Sequence, residues 1–148
     1  MSTYWDSHPN FVHNSTAPLQ KEFKLLAAQC SWKVDGAQYR REWARCGREE
    51  FTRHFGSDDK GLDGWQGLCA TVGIEEIPDS ITQCKKVLRT VWVNIFDLMD
   101  AKSTGQPVKK HVSAEALRNY TIKKKKIFPK KAAKGNPFLK VLLIEIFV

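Results

Sequence analysis

The chain has 148 residues, of which 42% are hydrophobic and 27% are charged, and it carries a formal net charge of +8. A chain of this length can bury a core without disulfides or metals, and this composition excludes disorder of the whole chain. The positive charge is concentrated, because residues 102 to 148 contain 12 of the 24 lysines and arginines but only two acids, Glu115 and Glu145. Such asymmetry indicates contact with a polyanion, an import signal or a solubilising tail.

Residues 1 to 18 are rich in Ser, Thr, Asn, His and Pro and have no apolar periodicity, so we expect a flexible N-terminal arm. The stretch lacks a basic region followed by an apolar run, so the sequence predicts no secretory signal and an intracellular location. The successive lysines near the C-terminus favour the nucleus. No run of about 18 apolar residues occurs in the chain, which argues against a membrane-spanning helix. We expect residues 19 to 148 to form a single helical domain.

Apolar residues at helical spacing predict three helices in the first half of the chain, over residues 19 to 31, 37 to 55 and 62 to 72. Gly56 and Gly73 follow the second and third of these, where C-terminal caps are expected. The second helix interleaves aromatic residues with five arginines, and its glutamates are close enough in sequence to pair with several of them.

The stretch from residue 80 to residue 101 has the broadest apolar arc in the chain when it is placed on a helix. We therefore predict one central helix that is buried in the core, with Ser80 as its N-terminal cap. Lys85, Lys86 and Arg89 lie on one flank of its apolar arc. The third helix, the link and this helix resemble a helix-turn-helix unit that could contact DNA, and plain helix packing explains the same pattern.

The C-terminal third predicts a short extended piece over residues 108 to 112 and a helix that begins at Ser113. A last helix is predicted from the pair Asn136 and Pro137, a cap and first-turn combination. Its apolar side chains should pack on the bundle or against a partner, with a strand over residues 141 to 148 as the alternative. The predicted fold class is all-α, a compact bundle of five or six helices with a mobile N-terminal arm and a basic C-terminal segment.

A lysine-rich segment over residues 122 to 134 separates these two helices. Four successive lysines repel one another, which disfavours burial and favours contact with an anion. We predict a protein that binds nucleic-acid phosphates through this segment, with Lys85, Lys86 and Arg89 extending the patch. The predicted phosphate ligands within the segment are Lys123, Lys124, Lys125, Lys126, Lys130, Lys131 and Lys134.

Two alternatives remain for the same features. In the first, the lysine run is only a nuclear-import signal on a protein-interaction module, such as an effector or adaptor, and apolar helix faces form a homodimer or partner surface. In the second, the lysines and Phe128 contact an anionic membrane surface.

No sequence pattern indicates catalysis, a metal or a cofactor. The chain lacks a recognisable nucleophile with an adjacent base, a pair of catalytic carboxylates and a phosphate-binding loop. Its four histidines are scattered, and none of its four cysteines belongs to a Cys-x-x-Cys pair. We expect Cys30, Cys46, Cys69 and Cys84 to be core thiols rather than disulfides or metal ligands, and the protein to be non-enzymatic.

Three short runs carry a resemblance to a group of known proteins. They are Ser-Ile-Thr-Gln-Cys-Lys-Lys at 80 to 86, Val-Asn-Ile-Phe-Asp-Leu at 93 to 98 and Ile-Phe-Pro-Lys at 127 to 130. Over residues 19 to 143 at most, the chain resembles small uncharacterised helical proteins of filamentous fungi. The resemblance implies a fungal origin and an intracellular or host-delivered helical domain, and that group has no known activity or catalytic residues to carry over.

Overall fold

The computed structural model describes residues 3 to 143. This part of the chain is mostly helical and compact, which confirms the all-α character of the fold. It contains a 3-10 helix (Tyr4–Ser7) and eight α-helices, where we predicted five or six: α1 (Leu19–Gln29), α2 (Ala37–Phe55), α3 (Leu62–Thr71), α4 (Ile81–Leu88), α5 (Ile95–Thr104), α6 (Ala114–Lys123), α7 (Lys130–Ala133) and α8 (Pro137–Leu143). Two short strands, β1 (Trp92–Val93) and β2 (Lys110–His111), form an antiparallel pair.

Helix α2 is the element on which the others assemble. It packs against α1, α3, α5, α7 and the 3-10 helix, and its Cys46 and Phe51 are fully buried. The helix has the bounds that the sequence predicts, and it ends where Gly56 adopts a left-handed φ of 77°. The core is therefore centred on α2 rather than on the stretch from residue 80 to residue 101.

The predicted central helix is divided in two, so that prediction is wrong. Helix α4 ends at Leu88, the chain extends through β1, and α5 begins at Ile95. Val91, Trp92 and Val93 are β-branched or aromatic and favour an extended backbone. The following Asn94 accepts hydrogen bonds from the backbone N–H groups of residues 96 and 97, and this cap starts a new helix.

The 3-10 helix that precedes α1 packs on α2, whereas the polar composition of residues 1 to 18 predicts a flexible arm. Tyr4 and Trp5 are 1% and 6% exposed. The Tyr4 hydroxyl donates to Glu42 Oε1 at 2.9 Å, and the Trp5 indole N–H donates to Glu50 Oε1. The burial of two large aromatic side chains outweighs the polar residues around them.

Helix α8 returns to the bundle, as predicted. Asn136 Oδ1 accepts from the Phe138 backbone N–H at 2.9 Å, so Asn136 is the cap that the sequence indicates. Phe138 is fully buried and meets the Trp65 ring edge to face, with 4.5 Å between ring centroids. Val141 is helical here, and most of the alternative strand, residues 144 to 148, lies outside the described residues.

Three of the four cysteines are the core thiols that the sequence predicts. Cys46, Cys69 and Cys84 are buried and free. Cys30 is exposed instead and lies one residue after the last residue of α1. Within residues 3 to 143, no helix is both long enough and apolar enough to cross a membrane.

Candidate polyanion-binding surface

The four consecutive lysines, Lys123 to Lys126, end α6 and form a turn. The backbone N–H of Lys126 donates to Thr121 O at 3.0 Å, and that of Lys125 donates to Ile122 O at 3.2 Å. Lys125 has a left-handed φ of 56°, in a position where glycine is the usual residue. Lys123, Lys124 and Lys125 are exposed at this helix C-terminus, where the helix dipole stabilises positive charge.

Lys126 differs from its three neighbours, because its side chain turns inward. Its Nζ atom lies 2.7 Å from Asp97 Oδ1, and the Tyr120 hydroxyl donates to Asp97 Oδ2 at 2.6 Å. Burial opposes the charged form of Lys126, but the hydrogen bond and negative charge of Asp97 outweigh burial and raise the pKa of Lys126. The predicted role of Lys126 as a phosphate ligand is therefore weakened, because its ammonium group is already paired with Asp97 in this structure.

Phe128 anchors the lysine segment to the body of the protein. It is 3% exposed and packs on Phe96, with 5.3 Å between ring centroids. A Cβ atom on Gly47 would lie 3.2 Å from Phe128 Cε2, so this glycine of α2 makes room for the ring. Phe128 cannot insert into a membrane in this conformation, and Ile122 and Ile127 are the exposed apolar residues of the segment, at 58% and 53%.

Helix α7 and the residue that follows it carry the second group of lysines. Ala132 is buried where α7 packs on α2, whereas Lys130, Lys131 and Lys134 are exposed. Arg48 of α2 lies beside this group, because its Cδ atom would be 3.0 Å from a Cβ atom on Gly135.

The sequence offers no sign that Arg48 lies near these lysines, since the glutamates of α2 are close enough in sequence to pair with several arginines of that helix. The pairs that form on α2 use other arginines. Arg45 Nε lies 2.8 Å from Glu49 Oε2, and the Arg53 guanidinium lies 2.7 Å from Glu50 Oε2. Within residues 3 to 143, Arg48 has no carboxylate partner.

The third predicted group lies on α4 and at the residue that follows it. Lys86 and Arg89 are exposed, and Lys85 is half-buried with its ammonium 5.3 Å from the centroid of the Trp65 ring. Helix α4 packs on α3 and α8, whereas α7 packs on α2 and α8 and α6 packs on the two strands. The predicted ligands are therefore divided among three elements rather than presented by one segment.

One histidine site has catalytic residue types but lacks catalytic geometry. Ser103 Oγ lies 3.2 Å from His54 Nε2, and Glu50 Oε2 approaches the same nitrogen at 3.9 Å. A catalytic triad needs the serine and the carboxylate on different ring nitrogens. In the part of the chain that the structure describes, no three His, Cys, Asp or Glu side chains are placed to hold a metal ion.

Comparison of the chain with protein-family models, with curated proteins and with solved structures finds no match. No relative therefore contributes an activity, a ligand or a partner.

Proposed function

We propose that the protein binds nucleic acid through phosphate contacts made by the exposed lysines at the end of α6 and on or just after α7, without catalysing a reaction. The observation that supports the proposal concerns the exposure and the ion pairing of six lysines. All six are exposed, and none has a carboxylate partner within residues 3 to 143: Lys123, Lys124, Lys125, Lys130, Lys131 and Lys134. Such side chains can exchange their counterions for the phosphates of a nucleic acid.

The chemistry of this surface favours the backbone of a duplex over exposed bases. Lysine binds phosphate as a compact charge and lacks the planar fork with which arginine reads guanine. Single-strand binders add aromatic side chains on which bases stack. The aromatic residue of the lysine segment, Phe128, is buried, so it offers no such platform.

Titration of a labelled 20-base-pair duplex at several salt concentrations tests the proposal. The wild-type protein should lose affinity steeply as salt rises, because each neutralised phosphate adds about 0.9 to the slope of log K against log salt. K123Q/K124Q and K130Q/K131Q should each reduce that slope by about two. K33Q/K60Q removes the same charge from exposed loop lysines and should leave the slope unchanged.

A wild-type affinity that is absent, or that is indifferent to salt, would overturn the proposal. Equal losses in K33Q/K60Q would show that only net charge matters, and the assignment of the surface would then fail.

Contact with an anionic membrane surface is a second candidate, which the exposed Ile122 and Ile127 favour. A surface that carries both lysines and exposed aliphatic side chains suits anionic lipid. Sedimentation with phosphatidylserine vesicles separates the two candidates. Vesicle binding that exceeds duplex binding at equal salt, and that falls in I122S/I127S, would replace nucleic acid as the partner.

A further inference from the structure

The start of α1 lies directly against the turn formed by Lys123 to Lys126. Gln20 Nε2 donates to the backbone carbonyl of Lys125 at 2.8 Å, although the two residues are 105 positions apart. Asp100 Oδ1 accepts from the Leu19 backbone N–H at 3.1 Å and fixes the first turn of the helix. The outward face of α1 is thereby held next to the three exposed lysines that end α6.

That outward face is basic. Lys24 follows Gln20 by four residues, so the two share a helix face with their Cβ atoms about 6 Å apart. Lys21 stands three residues before Lys24, and both lysines are exposed. Glu22, the acid of this helix, lies on the opposite face at 4% exposure and accepts hydrogen bonds from His13 Nδ1 and the Asn14 backbone N–H.

Asp97 and Asp100, whose carboxylates lie near this surface, both have hydrogen-bond partners within the protein. Asp97 is bound by Lys126 and by the Tyr120 hydroxyl. Asp100 caps α1, and burial raises the pKa of its carboxyl group. Their repulsion of an approaching anion is therefore reduced, and the exposed lysines dominate the local field.

We propose that Lys21 and Lys24 of α1 form one phosphate-binding site together with Lys123, Lys124 and Lys125, so that a nucleic-acid backbone lies across the junction of α1 and the end of α6. This inference rests on the proposed function and adds a second element to its site. The site brings cations from two distant parts of the sequence to the same nucleic-acid backbone.

Single substitutions on and near α1 test the inference in the duplex titration. K21Q and K24Q should each reduce the magnitude of the salt slope by about one, and the double variant by about two. K24R keeps the charge and should keep the slope. K33Q removes an exposed lysine beyond the other end of α1 and should behave as wild type. Thermal melting of each variant should match the wild type, since these side chains are exposed.

The outcomes separate a failure of this inference from a failure of the proposed function. If K123Q/K124Q weakens binding but K21Q and K24Q do not, the role of α1 is overturned and the proposed function stands. If K24Q and K33Q weaken binding equally, α1 has no local role and the inference fails. If the wild type does not bind the duplex, both proposals fail together.

Discussion

Two glycines of α3 have opposite surroundings, although they are three residues apart. A Cβ atom on Gly64 would lie 2.8 Å from Phe138 Cζ, whereas a Cβ atom on Gly67 would have no neighbour within 4 Å. Phe138 is fully buried and meets the Trp65 ring edge to face, so its ring has little room to move. Gly64 therefore serves the docking of α8, and Gly67 has no such role.

Alanine at these two positions should change stability in opposite directions. Gly64→Ala forces the Phe138 ring to shift and should lower the free energy of unfolding by about 1–2 kcal/mol. Gly67→Ala gains helix propensity without a clash and should raise it by about 0.5–1 kcal/mol. Urea denaturation of the two variants measures both effects, and a shift of the same sign in both would contradict the packing of α8 on α3.

At the scale of helices and strands, the features that the sequence predicts correctly are those set by residues close together in the chain. The bounds of α2, the caps at Ser80, Ser113 and Asn136, and the all-α character follow from residue preferences over a few positions. The break at Asn94 is missed because the apolar pattern continues across it at helical spacing. Its decisive partners, Thr121 and the Lys126 carbonyl, are distant in sequence.

The candidate site shows the same division between local and distant information. The exposure of the lysine run follows from its charge density, so a single sequence predicts it. The pairing of Lys126 with Asp97 and the positions of Arg48 and Lys24 depend on how α2, α5 and α1 pack. Such contacts join residues far apart in the chain, and no local pattern encodes them.

Asn94 should be the most costly helix cap to remove. Its side-chain oxygen accepts from two backbone N–H groups, and its amide donates to Thr121 Oγ1 and to Lys126 O. It is 2% exposed, so Asn94→Ala leaves buried polar groups without partners and should lower the free energy of unfolding by about 2–4 kcal/mol.

Ser80, the N-cap of α4, is the control with which Asn94 is compared. It accepts one exposed hydrogen bond of 3.3 Å, so Ser80→Ala should lower stability by no more than about 1 kcal/mol. Chemical denaturation of the two variants gives the comparison. Equal losses would show that the junction between β1 and α5 does not depend on the Asn94 contacts.

At the scale of the whole molecule, His54 couples folding to pH. Burial and then the charge of Arg53 lower the pKa of His54 from 6.5 to about 4 in the folded protein, against the opposing charge of Glu50. Lys102 also disfavours the proton, and Ser103 Oγ contacts the ring. The unfolded chain therefore binds a proton to this histidine at a higher pH than the folded protein does.

This contribution to stability should be complete above pH 6.5 and should be lost as the pH falls from 6.5 towards 4, by at most about 3 kcal/mol. His54→Gln cannot titrate, so its stability should fall less than that of the wild type over this interval. Urea denaturation at pH 7, 6, 5 and 4.5 measures the difference, and other groups titrate alike in both proteins. Parallel curves would exclude His54 as the source.

The burial of Phe128 and the ion pair of Lys126 also restrict which macromolecules can bind the four consecutive lysines, Lys123 to Lys126. The first of them ends a helix, Lys125 is in a left-handed conformation, and Lys126 points inward. A receptor that takes four consecutive lysine side chains from an extended peptide must first unwind this turn and break the ion pair between Lys126 and Asp97. Binding to such a receptor would compete with folding. Substitutions that raise the free energy of unfolding would therefore slow transport of the protein by that receptor.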